Sequence, residues 1–125
     1  MFSPRNADAA SPAARYARIV TNFVHDVSTG TWVACMLIIW TISSRAAGVS
    51  AEAADVLAAA NTNVFWLLAV SLVGIAVTGV ARLFYWRGDT PVDQRAAKRT
   101  ALVVKHAVLL VVYGAGTLWA AGMVF

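Results

Sequence analysis

The sequence predicts an all-α membrane protein of three transmembrane helices, with the N-terminus cytoplasmic and the C-terminus outside. Three observations carry that expectation. Of the 125 residues, 60% are hydrophobic and 13% charged, with a mean hydropathy of +0.69, whereas a soluble domain carries about 25% charged residues. Three apolar runs, Ile19–Ile42, Val64–Ala81 and Ala101–Phe125, come close to or exceed the ~20 residues that a membrane-spanning helix needs. The basic residues are also placed unevenly, which sets the orientation.

Arg5, Arg15 and Arg18 precede the first run, and Arg82, Arg87, Arg95, Lys98 and Arg99 lie around the second connection. The first connection balances Arg45 against Glu52 and Asp55, and nothing basic follows the third run. Basic residues favour the cytoplasmic side. The expected location is therefore the cytoplasmic (inner) membrane, multi-pass, as a single transmembrane domain over residues 1–125. The formal charge of +4 belongs to this topology. No nucleic-acid partner is expected, because no basic face with interleaved aromatics exists.

Along the chain, residues 1–15 are expected to be a flexible cytoplasmic tail, since Ser3-Pro4 and Ser11-Pro12 disfavour helix. The first apolar run is longer than a signal-peptide core and lacks a small-x-small cleavage site, so it reads as a signal anchor. Helix one is expected over about 16–43. An external loop follows at 44–63, with room for a short helix from Ser50, its N-cap, to Ala60. Helix two is expected over about 64–86 and ends in the turn cluster Arg87-Gly88-Asp89-Thr90-Pro91. Helix three is expected over about 98–125, with a start anywhere from Val92 to Lys98. Trp40, Phe65, Trp66, Trp119 and Phe125 mark the outer headgroup level, and Tyr16, Phe84, Tyr85 and Trp86 the inner one. Gly74, Gly79, Gly114, Gly116 and Gly122 allow close helix packing. The single cysteine, Cys35, has no internal disulfide partner.

The residues that could carry chemistry are the only two histidines, His25 and His106. Each lies seven residues past an arginine, Arg18 or Arg99, so each ring is roughly 10 Å beyond a flanking charge. An ionisable group inside a span is a functional-site hypothesis by default. Two at matched depth on different helices suit the axial ligands of one haem b, approached from opposite faces. Another metal, a proton-handling role, or plain hydrogen bonding between helices are the alternatives. Covalent haem attachment is excluded because there is no Cys-x-x-Cys-His.

Asp26 adjoins His25 but points about 100° away around the helix. Its expected role is an ion pair with Arg82, Arg99 or Lys105 at the inner face; accepting a bond from a donor in a partner subunit or carrying protons are the alternatives. Lys105 either snorkels to the headgroups or meets a haem propionate, a role open also to Arg82, Arg87 and Arg99. Soft Cu(I) ligands exist in Cys35, Met36 and Met123, but Cys35 lies about 15 Å deeper than His25. No catalytic triad, paired catalytic carboxylates or phosphate-binding loop is present. The expectation is thus an electron-transfer or accessory subunit rather than a stand-alone enzyme. Three spans cannot enclose a porphyrin on every side, so a homo-oligomer or a larger membrane complex is expected, with quinone as a candidate redox partner. A non-redox scaffold subunit is the second reading.

Three segments resemble known families. His25-Asp-Val-Ser-Thr-Gly-Thr-Trp32-Val-Ala resembles the first helix of the copper resistance protein D (CopD) family and of the HemJ type of protoporphyrinogen oxidase. Val77-Thr78-Gly79-Val80-Ala81-Arg82-Leu83 is similar to the Thr-Gly element of the same superfamily. Lys105-His-Ala-Val-Leu-Leu-Val-Val-Tyr113 looks like its lysine-led helix. The resemblance implies a haem ligand at His25 and a functional lysine at Lys105. The chain departs from those families in having three spans where they usually have at least four, and in adding His106 beside the lysine. What the resemblance implies is a haem-binding membrane scaffold, with porphyrinogen oxidation and copper transport as further alternatives.

Overall fold

The computed structural model describes residues 11–125, apart from residue 90 and the side chains of 86–89. It contains three long helices: α1 (Pro12–Arg45), α2 (Ala51–Asp89) and α3 (Arg95–Val124). All three are long and apolar enough to cross a membrane, and no strand occurs among the described residues. The fold is all-α with three membrane-crossing helices.

Three boundaries differ from the sequence expectation. α1 starts at Pro12, inside the expected flexible tail, whose first ten residues lie outside the described ones. The Ser11 hydroxyl accepts from the Ala14 N–H at 3.2 Å, and proline occupies the first helical turn. Ser-Pro is here a start signal, because proline needs no N–H partner at that position.

The expected external loop at 44–63 shrinks to a 3-10 turn, Ala46–Gly48, followed by Val49 and Ser50. Ser50 does cap the next helix, accepting from the Ala53 N–H at 3.3 Å. That helix, however, continues into α2 without a break. The polar cluster Asn61-Thr62-Asn63 reads as loop, yet the Asn61 amide donates to the Ser43 hydroxyl at 3.0 Å and is buried against α1. A helix–helix contact absorbs the polarity that suggested a turn.

The turn expected at Arg87–Pro91 is delayed, since α2 stays helical through Asp89; residue 90 and the side chains of Trp86 and Arg87 lie outside the described ones. α3 begins at Arg95, inside the expected Val92–Lys98 window, after a 3-10 turn at Val92–Gln94.

α1 and α2 run antiparallel in one steady register. Arg18 sits over the Tyr85 ring at 5.1 Å, His25 meets Thr78, Ser28 abuts Gly74 and Ser43 meets Asn61. α3 returns parallel to α1. Its contacts gather toward its C-terminal half, where Trp32 and Tyr113 form a T-shaped pair with centroids 4.9 Å apart. The Trp32 indole N–H donates to Thr117 Oγ1 at 3.2 Å. Phe65 of α2 meets Phe125 edge-on at 5.2 Å. Trp32, Cys35, Ile39, Leu68, Ile75 and Ala120 form the buried core, with Met36, Tyr113 and Met123 against it. Large apolar side chains such as Phe23, Leu37, Val70, Leu110 and Leu118 remain exposed, as a lipid-facing surface requires.

Gly116 explains how α3 comes so close to α1. A Cβ there would lie 2.7 Å from the Trp32 ring. Small residues let backbones approach where no hydrophobic force drives helices together in lipid.

Candidate functional site

The helix register decides where the predicted residues fall. On α1, Arg18, His25, Trp32 and Ile39 recur every seven residues; on α3, Arg99, His106, Tyr113 and Ala120 do the same. A seven-residue step returns nearly to the same side of a helix. The Trp32–Tyr113 pair fixes the alignment of the two helices. Trp32 also meets Gly116 and Thr117, so one heptad toward the basic end His25 falls opposite the stretch His106–Leu110. Arg82, Asp26, Lys105 and His106 all lie within electrostatic range of His25.

Each imidazole is oriented by its Nδ1. His25 Nδ1 lies 2.9 Å from Thr78 Oγ1, and Thr78 Oγ1 lies 2.6 Å from the Gly74 carbonyl. A carbonyl only accepts, so the Thr78 hydroxyl proton is committed to Gly74. The same oxygen then accepts from His25, which makes Nδ1 the protonated nitrogen. His106 Nδ1 lies 2.6 Å from the Leu102 carbonyl and must likewise donate. In both neutral rings Nε2 therefore carries the lone pair. This is how a metal-ligating histidine is commonly held, with the outer N–H bonded to a carbonyl or another acceptor.

The surroundings of the two rings differ. His25 is half-buried between α1 and α2, with its Cε1 3.9 Å from where a Cβ on Gly79 would stand. His106 is exposed and lines a cleft of about 550 Å³ between α2 and α3. Val80, Leu83, Phe84, Leu102 and Val103 form the apolar walls of the cleft, and Arg99 is its one charged residue. No α1 residue lines it, so the structure brings Arg99 to His106 but leaves His25 in a separate setting. Arg82, Lys105 and Asp26 are exposed. Among the described residues no group of three or more His, Cys, Asp and Glu side chains could hold a metal. Cys35 is buried in the core at the level of Trp32 and Ile39, apart from both rings.

Two features escape sequence reasoning. Thr78 as the partner of His25 is one; its only sequence signal is a hydroxyl in an otherwise apolar stretch. The cleft is the other, because it depends on how α3 diverges from α2 toward the basic end.

No protein family, curated protein or solved structure matches the chain.

Proposed function

We propose that this chain is a small b-type cytochrome-like membrane subunit that holds haem b through His25 and His106. The carrying observation is the pair of rings with Nδ1–H committed and the Nε2 lone pair left free, on parallel helices whose register brings them to neighbouring depths. A neutral imidazole with its outer N–H anchored is the donor that haem iron takes. Arg99, beside His106 in the cleft, suits a propionate, and Lys105 and Arg82 lie near the same level. The haem supplies one-electron chemistry; the chain supplies ligation, orientation, an apolar wall and positive charge. The cleft opens outward and lacks an α1 wall, which favours completion by a second copy or a larger complex. The same reading places the N-terminus and both rings on the cytoplasmic side of the inner membrane, with quinone as the candidate electron partner.

The test is a reduced-minus-oxidised absorption spectrum of protein purified from cells with ample haem supply. A sharp α band on reduction, lost in His25→Ala and in His106→Ala, is the expected result. A colourless wild-type protein would overturn the reading. It would favour the second one, a non-redox accessory subunit, for which the self-contained bond from His106 to its own Leu102 carbonyl speaks.

A further inference from the structure

Asp26 and Lys105 are the charged side chains within the apolar runs; Asp26 has no part in the proposed site, and Arg99 beside His106 leaves Lys105 free for another partner. Both are exposed, and among the described residues neither forms an ion pair with the other. A charge inside a span costs free energy, and such groups face a bundle interior or pair with one another.

Their direction is fixed by contacts. Ser28 abuts Gly74 of α2, and Asp26 lies about 160° around α1 from Ser28 at 100° per residue. Val103 lines the cleft with α2, and Lys105 lies about 160° around α3 from Val103. Both charges therefore point away from α2, on the side of the molecule formed by α1 and α3. The same register sets Lys105 two to six residues nearer the basic end than the level of Asp26. Nearby on this side α1 presents Gly30, with nothing within 4 Å of an added Cβ, and the exposed Val33 and Leu37. α3 presents Val112 and Trp119, each about half exposed.

We infer that this face is covered by a second copy of the chain, with Asp26 of each copy paired to Lys105 of the other. An acid on one parallel helix and a long-chained base toward the same end of its neighbour are self-complementary under a twofold axis along the membrane normal. One rotation makes both pairs, which is the condition for a closed isologous dimer. The dimer gathers two copies of α1 and two of α3 into a four-helix core, and each α2 stands outside it. The inference rests on unpaired charges and stands whether or not haem is bound.

The experiment is cross-tag disulfide trapping in native membranes in a Cys35→Ala background. One chain carries Asp26→Cys, and a differently tagged chain carries Lys105→Cys. On oxidation the expected product is a band holding both tags at twice the chain mass, absent when either variant is expressed alone. The absence of that band, or closure within one chain in the Asp26→Cys, Lys105→Cys double variant without the dimer, would overturn the proposal. Asp26→Asn keeps the side chain's volume and tests the charge alone. It should weaken dimerisation about tenfold, as loss of two interhelical polar contacts of average strength does, one from each pair. The exchanged variant Asp26→Lys, Lys105→Asp should recover the dimer that Asp26→Lys loses. Failure of that recovery with normal membrane insertion also counts against the pairing.

Discussion

The two ends of the bundle are built on different principles. Toward the Ala46–Gly48 turn, Trp32, Ile39, Leu68 and Ala120 are buried and Gly116 lets α3 close on α1. Toward the other end α3 diverges from α2, a cleft of about 550 Å³ opens, and His25, His106, Asp26, Lys105, Arg82 and Arg99 collect within a few turns. One region keeps the helices together through shape. The other leaves room and concentrates ionisable groups, as sites for ligands do. The packed end sets the register, and the register aligns the open end.

That division can be broken from either side. The largest expected effect belongs to the open end: His25→Ala or His106→Ala should abolish the bound-haem spectrum while the melting temperature of the detergent-solubilised protein changes little. A variant that retains the full spectrum would remove that residue from the ligand pair. Next comes Gly116→Leu at the packed end. Overpacking of this kind costs about 1–3 kcal/mol, read as a lower unfolding midpoint. Because it shifts α3, it should also disturb the spectrum from nearly three turns away. Trp32→Phe keeps a ring against Tyr113 but removes the bond to Thr117. Its expected cost is about 1 kcal/mol, with no spectral change. The smallest effect is that of Thr78→Val, which deletes the acceptor for His25 Nδ1–H. It should shift rather than abolish the haem bands, and Thr78→Ser should restore them. In haem-free protein, ¹⁵N spectra of labelled histidine should find the Nδ1–H tautomer at His25, lost in Thr78→Val.

The parts of the fold that could be read from the sequence are those governed by long-range composition. Three spans follow from apolar runs that no soluble domain would carry, and the matched spacing of His25 and His106 from their arginines needs only counting. Boundaries were harder, because the same residues serve two purposes. Ser11-Pro12 both interrupts a helix and begins one, and only the chain's direction after Pro12 decides. Asn61 looks like loop until a hydroxyl on α1 is found opposite it. The bond from Thr78 to His25 joins residues 53 positions apart, and no local pattern encodes it. The cleft comes from the divergence of two helices, which is a property of packing and not of either helix alone.

The unbroken course of α2 has its own outcome. At 39 residues it is a rod of about 58 Å, against a hydrocarbon layer of about 30 Å. Spans tilt by at most about 40°, and that tilt still leaves over 10 Å of helix standing clear. At its first turns, past the end of α1, this excess raises Glu52 and Asp55 into water as an acidic stub, rigidly continuous with the segment beside His25. A soluble protein approaching that surface would meet this stub before it met lipid.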